Sequence, residues 1–555
     1  MPGPAATTCS YSDWIGTDLI VFIGSNVANN QPVTTKYLHL AKKAGTKVAV
    51  VNPYREPGME RYWIPSTPES ALFGTKINDR FFQINTGGDL GFLVGTLKHL
   101  IERELVEADF VRDHTAGFEA MRAEAEAARW EDLEAVAGTT REEMAAFADM
   151  LGSAKRGVLV WSMGVTQHAF GEDNVRAIVN LALARGWVGL EGTGLMPIRG
   201  HSGVQGGAEM GCYATAFPGG AAVTPENAAV IGGQWGFEVP GEPGLVAPEM
   251  IDAAERGELD LLFASGGNFL DVLPDPDSVE RSLGRIRTRV HMDIVASSQM
   301  LVDPPPGGEV LVLPASTRYE GPGGVTETTT ERRVILSPEI AGPRIGSARP
   351  EWRVFGDLAA RVRPELAAKV RFAGTEEIRR EIAAVVPLYE EIGTLTEGGD
   401  SFQYGGAHYP SGRDFPTADG RAHFATVTVP DPVPADGRFS LSTRRGKQFN
   451  SMVQELSDSI TGANREAVLI AASDAERLGI AGGDPVLLRS DLGELEAVAA
   501  IAPIAPGNLQ VHWPEGNVLI GERRSPEAEI PDYNARVEVL RFSAVGHPSG
   551  AQPGR

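Results

Sequence analysis

Residues 17–53 combine two short apolar runs with one stretch of helical spacing, and this pattern restricts the chain to few folds. Residues 17–24 (TDLIVFIG) and 46–53 (TKVAVVNP) have the composition of buried parallel strands. Residues 33–44 between them have helical spacing, and Gly45 follows as a C-terminal cap. In such a strand–helix–strand unit, ligands bind at the carboxyl ends of the strands, here near Gly24 and Asn52. The pattern therefore predicts an α/β domain with a parallel sheet.

The patterning continues along the chain and then changes in character. Helices are predicted within residues 91–151, where Thr140 and Glu143 form a capping box. Further α/β patterning follows, with a helix at 173–186 and strands at 156–164, 260–266, 288–294 and 309–314. The last part contains short strands separated by turns, at 438–444, 467–471, 484–490, 494–501 and 508–513. One helix interrupts them, with Ser473 and Glu476 as its predicted capping box and Gly479 at its end. These short strands predict a β-barrel.

The chain has 555 residues, too many for one hydrophobic core, so several domains are expected. The predicted fold class is α/β, with two α/β domains whose sheets are mostly parallel and a C-terminal β-barrel. The predicted divisions are a dinucleotide-binding α/β domain at 1–200, a second α/β domain at 201–392, a linker at 393–436, the barrel at 437–545 and a disordered tail at 546–555. No internal sequence repeat is expected.

Charge and cysteine content argue against several classes of function. The net charge of −23 disfavours nucleic acid and anionic lipid as partners, because both require clustered Lys and Arg. No run of eighteen apolar residues exists, and no basic start followed by an apolar core, so neither membrane insertion nor secretion is expected. Only Cys9 and Cys212 are present, too few for an iron–sulfur cluster within this chain. Free thiols in a reducing cytoplasm are expected.

The signatures of several enzyme classes are absent, whereas polar residues flanked by glycine follow four predicted strands. No GxGxxG, GxxxxGK[ST], HExxH or GxSxG occurs, which disfavours NAD-dependent Rossmann enzymes, kinases, zinc enzymes and hydrolases. A single polar, Gly-flanked strand end is most simply an ordinary turn, but four in one chain favour a large nucleotide ligand across the sheet. These strand ends are Gly24-Ser25-Asn26, Asn52-Pro53-Tyr54-Arg55, Gly87-Gly88-Asp89 and Ser162-Met163-Gly164 with Gln167.

Several motifs occur together in the order and spacing of one known family. They are TDLIVFIGSNVANNQP, AVVNPYRE, WSMGVTQ and PIRGHSGVQGGAEMG, continuing through LPASTRYEGPGG and TTTERRV to RGKQFNS, ASDAERLGI, GDPVLL, IAPGNLQVHWPEGNVL and PDYN. On these motifs the chain resembles the molybdopterin oxidoreductases, and within them the formate-dehydrogenase-like alpha subunits. The resemblance extends over essentially the whole chain. It implies that the C-terminal barrel is a molybdopterin-dinucleotide-binding domain of the double-psi type.

The resemblance also implies a cofactor and the residues that hold it. Members of the family bind two molybdopterin guanine dinucleotides around a molybdenum or tungsten ion. One dinucleotide is expected on Gly24, Asn26, Asn30, Asn52, Arg55, Gly87 and Asp89, and the same pocket is expected to be lined by Met163, Gly164 and Gln167. The expected contributions of the barrel are Thr443, Arg444, Gln448, Phe449 and Asn450 at its start, and His512, Asn517, Asp532 and Tyr533 where it closes over the pterins. No residue of this chain is assigned as a metal ligand.

Arg199 and His201 are the predicted catalytic residues. Arg199 matches the family's arginine beside the metal, where it would hold formate or a similar oxyanion in a charge-assisted pair. His201 stands where formate dehydrogenases more often carry an amide, which weakens the case for formate as the substrate. The chain begins after the position of the family's metal-ligating Cys or selenocysteine and of its cluster cysteines. A 4Fe-4S cluster is therefore expected only in a missing N-terminal region, and Cys9 is expected to be a plain thiol.

The leading hypothesis is a subunit or fragment of a molybdopterin-dependent oxidoreductase that transfers two electrons to or from a small molecule, with formate as a candidate. The missing region would come from a separate iron–sulfur polypeptide or electron-transfer subunit. The alternative hypothesis is a non-catalytic remnant that binds the pterin dinucleotide but lacks the metal ligand.

Overall fold

The computed structural model describes residues 6–200, 203–446, 455–458 and 460–541, and the predicted tail lies outside this part. Its largest open sheet has five strands in the order β3-β2-β1-β4-β5, and every neighbouring pair is parallel. These strands are β1 (Leu19–Ile23), β2 (Lys47–Asn52), β3 (Arg80–Gln83), β4 (Gly157–Trp161) and β5 (Gly194–Pro197). All five residues of β1 are buried, as its apolar sequence predicts for a strand covered on both faces.

Helices cover both faces of this sheet, and alternate residues of β1 point into two separate cores. Leu19, Val21 and Ile23 belong to one core, whereas Ile20 and Phe22 belong to the other. The helices of this region are Val27–Asn30, Thr35–Lys43, Pro57–Glu60, Pro68–Phe73, Asp89–Glu102, Ala108–His114, Phe118–Ala127, Trp130–Ala137, Arg141–Ser153, Met163–Thr166 and Gly171–Ala184. Throughout the described ranges, no helix combines the length and the apolar character needed to cross a bilayer.

A second, three-stranded parallel sheet has the order β8-β7-β6. Its strands are β6 (Leu261–Ser265), β7 (Thr288–Asp293) and β8 (Glu309–Pro314), close to the bounds predicted from sequence. The helices of this region are Val204–Glu209, Pro225–Trp235, Ala247–Glu255, Phe269–Val272, Pro276–Leu283, Glu351–Val362, Ala367–Val370 and Thr375–Val385. Mostly parallel sheets in an α/β fold are thus confirmed.

A small antiparallel sheet was not predicted from the sequence. Its strands are β9 (Val325–Thr328), β10 (Arg333–Ser337) and β11 (Ser401–Gln403), with β10 in the centre. The strand β11 belongs to the predicted linker 393–436, and another part of that segment also packs tightly. Ala422–His423 pairs with Thr115–Ala116, and Phe424 is buried in the core of the first sheet. Much of this segment therefore covers folded structure, although its role as a domain boundary stays a prediction.

The C-terminal region is a closed barrel of six strands in the order β12-β16-β13-β15-β14-β17. The strands are β12 (Phe439–Arg444), β13 (Ala467–Ile470), β14 (Pro485–Arg489), β15 (Glu494–Ile501), β16 (Asn508–His512) and β17 (Asn534–Arg541). Two pairs are parallel, β12 with β16 and β13 with β15, and the other four are antiparallel. The barrel is confirmed, and its mixed pairing agrees with the double-psi type. The sequence predicted five of these strands and missed β17.

The helix inside the barrel begins two residues earlier than its predicted capping box requires. It spans Ala472–Leu478, its N-cap is Ala471, and no side chain caps it, so Ser473 lies within the first turn. The predicted Ser473–Glu476 capping box is wrong because Ala471, directly after the end of the preceding strand at Ile470, is already the N-cap of the helix. Gly479 ends the helix in the left-handed conformation, as predicted.

The strand order of the first sheet reverses at β1: β2 and β3 lie on one side of β1, and β4 and β5 lie on the other. The point between β1 and β4 is therefore a topological switch point. The two turns that follow these strands approach each other closely. A Cβ atom built on Gly164 would lie 2.5 Å from the carbonyl oxygen of Gly24, and one built on Gly24 would lie 2.9 Å from the carbonyl carbon of Gly164. Only glycine at both positions permits this approach. Crevices at such switch points are where open α/β sheets bind ligands.

We predict that Gly164→Ala lowers the stability of the protein by about 1–3 kcal/mol, because the new methyl group forces the two turns apart. Thermal unfolding measures the effect. Gly233→Ala is the matched control, since no atom lies within 4 Å of a Cβ at Gly233, which is inside the helix Pro225–Trp235. The control should melt at or slightly above the wild-type temperature because alanine favours helix. Equal melting of both variants would contradict the packing constraint.

Candidate functional site

The crevice between β1 and β4 contains several of the predicted cofactor-binding residues. Gly24 follows β1 with φ +54°, and the Asn26 side chain caps the helix Val27–Asn30 by accepting from the Asn29 amide at 3.2 Å. Ser25 Oγ lies 3.0 Å from Ser162 Oγ, which joins the two turns. Met163, Gly164 and Gln167 follow β4 on the other side of the crevice, and Asn30 is exposed at the end of its short helix.

The loops after β2 and β3 border the same edge of the sheet. The Asn52 amide donates to the Tyr54 carbonyl at 3.0 Å, and the Arg55 guanidinium pairs with Glu60 at 2.9 Å above the Phe81 ring. Gly87 has φ +76° and no atom within 4 Å of an added Cβ, so its open side can accept a ligand. Asp89 begins the helix Asp89–Glu102, and burial raises the pKa of its carboxyl group. The strand ends predicted from sequence therefore share one edge.

The second sheet repeats the turn of the first sheet in detail. Asp18 and Asp260 each begin an identically spaced D-L-x-x-x-x-G-x-N sequence. The amide of Gly24 donates to Val51 O at 3.1 Å, and the amide of Gly266 donates to Met292 O at 2.8 Å, at equivalent positions of the neighbouring strands. Our expectation of no internal repeat is therefore wrong. The repeat is nine residues long and identical at only four of its positions, which makes it easy to miss in the sequence.

The repeated turn reveals residues that the sequence analysis missed. Gly266 and Gly267 have φ +69° and +78° with open space around an added Cβ, and Asn268 caps the helix Phe269–Val272 as Asn26 caps its own. Asp293 ends β7 in the second sheet, at the position that corresponds to Asn52 at the end of β2 in the first sheet. The sequence signal that could have found these residues is a Gly-x-Asn pattern after an apolar strand, the same pattern that identified Gly24 and Asn26.

The barrel lies against the carboxyl edge of the first sheet. The Asn508 side chain accepts from the Thr86 amide at 2.8 Å and donates to Asn85 Oδ1 at 2.9 Å. The Arg55 amide donates to Pro503 O at 3.1 Å. Thr443 lies on β12, where its amide donates to Tyr533 O at 3.2 Å, and the Tyr533 amide donates to Gln167 O at 3.3 Å. Barrel residues therefore contact the loops after β2, β3 and β4 at this edge of the sheet.

A buried ion pair joins the barrel to this edge. Arg444 Nη2 lies 3.1 Å from Glu56 Oε2, and both side chains are less than one-tenth exposed. Burial raises the pKa of the Glu56 carboxyl group, whereas Arg444 and Asn26 oppose that rise. Burial, with the positive charge of Arg444, lowers the pKa of His512 to about 4, so this imidazole is neutral at physiological pH. Two predicted cofactor residues, Arg444 and Asn26, thus interact with one buried carboxylate, and His512 lies close enough to Arg444 to be affected by its charge.

Other predicted barrel residues attach to the second sheet region. The Asn517 amide donates to the carbonyls of Asp271, Val272 and Leu273 at 3.0–3.3 Å, and the Tyr533 hydroxyl donates to Val272 O at 2.8 Å. Asp532 is buried and accepts from the Asn534 amide at 2.5 Å. The structure therefore gives Asn517 and Tyr533 a direct role in holding the barrel to the turn after β6.

Arg199 lies in the loop after β5, at the same carboxyl edge. Its Nε donates to Gln205 Oε1 at 2.5 Å, and its carbonyl accepts from the Gln31 amide at 3.4 Å. The four remaining predicted residues, His201, Gln448, Phe449 and Asn450, lie outside the described residues. Cys9 is fully buried against Gly194 of β5, and burial raises the pKa of its thiol. A neutral, enclosed thiol is a poor metal ligand.

Buried polar atoms without a hydrogen-bond partner also occur around this edge. They include Asn29 Oδ1 and Gln31 Oε1 beside the first turn, Thr86 Oγ1 in the loop after β3, and Asn517 Oδ1 in the barrel. Unpaired buried polar atoms also occur elsewhere in the described residues, and those at this edge are available to a bound polar ligand.

Comparison with known proteins identifies the family. The family model described as "Molybdopterin oxidoreductase" matches residues 3–361, and that described as "Molydopterin dinucleotide binding domain" matches residues 439–537, which contain the barrel. The chain therefore belongs to the molybdopterin oxidoreductase family.

Relatives and solved structures agree with this assignment. The chain is 28% identical to protein YdeP of Escherichia coli, covering 96% of this chain and 73% of YdeP. It is 29% identical to F420-dependent formate dehydrogenase 1 subunit alpha of Methanococcus maripaludis, covering 97% of this chain and 79% of that subunit. Its fold is similar to that of acetylene hydratase from Pelobacter acetylenicus, with a TM-score of 0.69 at 16% identity over 97% of this chain and 79% of the other.

We predict that Arg444→Met destabilises the protein by about 3–5 kcal/mol, because it leaves the Glu56 carboxylate buried without its counter-ion. Loss of Arg444 also raises the pKa of Glu56 further. The folded variant then binds a proton more tightly than the unfolded chain, so its stability increases as the pH falls through that raised pKa. The deficit in melting temperature should therefore be smaller at pH about 5.5 than at pH about 8.

Arg489→Met is the control for this prediction. Arg489 pairs with Glu494 on the same barrel at 2.6 Å, but both side chains are about half exposed, so its removal should have a small effect with little pH dependence. Equal deficits in the two variants, or a deficit independent of pH, would contradict the buried role of the Glu56–Arg444 pair.

Proposed function

We propose that this chain is the cofactor-binding part of a formate-dehydrogenase-like oxidoreductase that holds two molybdopterin guanine dinucleotides around molybdenum or tungsten. When bound, that group would supply a two-electron redox centre for a small substrate. A separate iron–sulfur polypeptide or electron-transfer subunit is proposed as the electron-transfer partner. Both cysteines are unpaired, which favours a reducing compartment such as the cytoplasm.

The observation that carries this proposal is the pair of matching turns, one on each parallel sheet. Each combines a strand, a glycine at positive φ and an asparagine that caps the following helix. Positive φ lets the backbone of a glycine approach a phosphate closely, and the second turn also has open space beside Gly266 and Gly267. A helix N-terminus favours negative charge. The barrel contacts the loops beside the first turn, through Arg444 at Glu56 and the Tyr533 amide at Gln167. It contacts the helix that follows the second turn through Asn517 and the Tyr533 hydroxyl.

The residues fit the proposed cofactor in number and in chemistry. The two turns would hold one dinucleotide each, and the unpaired atoms of Asn29, Gln31, Thr86 and Asn517 would gain partners on its polar edges. Within the described residues, no group of three His, Cys, Asp or Glu side chains could hold a metal ion. In this proposal the metal is held by the dithiolenes of the pterins.

Arg199 would bind the substrate. Its guanidinium suits a planar oxyanion such as formate, in a charge-assisted pair. His201, two residues further along the sequence, is proposed as the second catalytic residue. The alternative proposal, a non-catalytic pterin-binding remnant, shares every dinucleotide contact and differs only in lacking the metal.

We predict that the chain purified from its native host releases about two guanine nucleotides per chain on acid hydrolysis, together with molybdenum or tungsten. Gly87→Val and Gly267→Val should each reduce the release to about one. The first fills the open space in the loop after β3, at the carboxyl edge of the first sheet, and the second fills the open space in the turn after β6. Nucleotide chromatography and elemental analysis measure these outcomes.

Gly257→Val is the matched control, since Gly257 also has positive φ and open space but follows the helix Ala247–Glu255 away from both turns. It should carry the same backbone strain and retain both nucleotides. Retention of both nucleotides in the two site variants would refute the assignment of the turns. Nucleotide without metal in the wild type would favour the remnant, and the absence of both would overturn the proposed function.

A further inference from the structure

A hydrogen-bonded chain connects Arg199 to the small antiparallel sheet. Arg199 Nε donates to Gln205 Oε1 at 2.5 Å, and the Gln205 amide nitrogen donates to Glu209 Oε1. The Glu209 carboxylate also accepts from the hydroxyl groups of Tyr389 and Tyr404. This one carboxylate therefore collects three donors from three separate parts of the chain.

The two tyrosines anchor the carboxylate firmly. Both are about 2% exposed or less, and their rings stack with centroids 4.9 Å apart. Burial and the negative charge of Glu209 raise the pKa of the Tyr389 phenol above its usual range, and burial, Tyr389 and Glu209 do the same at Tyr404. Both hydroxyls therefore keep their protons and remain donors. Tyr389 is fixed in turn by Thr328 Oγ1 at 3.0 Å, at the end of β9.

The anchored carboxylate determines which way the Gln205 amide faces. A carboxylate only accepts hydrogen bonds, so the Gln205 NH₂ group must face Glu209 and its carbonyl oxygen must face away. Gln205 is 4% exposed, which leaves the amide no room to reorient towards water. The carbonyl is thereby presented to Arg199 Nε, and it holds the guanidinium in one plane.

We propose that Glu209 and Gln205 are positioning residues that orient Arg199 to bind a small planar anion. The inference rests on the proposed function, in which Arg199 is the anion-binding residue. It gives the antiparallel sheet a role in the site, because Tyr389, Tyr404 and Thr328 all belong to that sheet or to the segments that pack on it.

The test uses the holoenzyme and two readouts, the steady-state kinetics with formate and the dissociation constant of nitrate from calorimetry without reductant. Nitrate is a planar anion that probes Arg199 independently of turnover. Glu209→Gln should weaken nitrate binding and raise the KM for formate by about tenfold, with a smaller change in kcat, because one charge-assisted contact in the chain is lost. Glu390→Gln is the control, an exposed carboxylate beside Tyr389 that should leave both unchanged.

A double-mutant cycle separates positioning from a merely structural role. If Glu209 acts through Arg199, then Glu209→Gln has no further effect on nitrate binding once Arg199→Ala is present. Additive losses, or unchanged binding in Glu209→Gln, would overturn the inference. Tyr404→Phe removes one donor while keeping the packed ring, and it should weaken nitrate binding in the same direction if Glu209→Gln fails to fold. If the wild type lacks pterin and metal, or its nitrate binding is insensitive to Arg199→Ala, the proposed function fails instead.

Discussion

Parallel strand pairing is the constraint on which the rest of the structure depends. In a parallel sheet every strand ends at the same edge, so the turns after β1, β2, β3, β4 and β5 are brought together whatever their distance in sequence. The second sheet does the same for the turns after β6 and β7. Because these turns also begin helices, the edge gathers unpaired backbone N–H groups and positive φ glycines. Barrel residues contact the loops at the carboxyl edges of both sheets.

Buried charged side chains connect the sheets and the barrel to one another. The Glu56–Arg444 pair connects the barrel to the first sheet across nearly four hundred residues of sequence. The Arg332 guanidinium is fully buried and donates to the carbonyls of Thr7, Tyr404 and Gly406, which fastens the start of the chain to the antiparallel sheet. A charge in such surroundings is tolerated only when every donor is directed at an acceptor. These contacts therefore connect parts of the fold that are far apart in sequence.

The success and failure of the sequence predictions follow the range of the interactions involved. The strands β1, β2, β7, β8 and β15 were located closely because apolar runs and turn residues are local signals. The antiparallel sheet was missed because β9, β10 and β11 are short and are assembled from distant segments, one of them in a predicted linker. The capping box at Ser473 failed because Ala471, directly after the preceding strand, is already the N-cap of the helix. The nine-residue repeat was missed because its identity lies mostly in backbone geometry.

The sequence by itself determined the α/β class, the barrel, the family resemblance and the positions of Gly24, Asn26, Gly87 and Gly164, because each depends on local chemistry at a strand end. Only the tertiary structure decided which of these residues meet. It assigned Arg444, Asn517 and Tyr533 to contacts between layers, revealed the second turn at Gly266–Asn268, and connected Arg199 through Gln205 to Glu209 and two tyrosines. Such partners are set by how sheets, helices and barrel pack, and residues nearly two hundred positions apart leave no local signal of their contact.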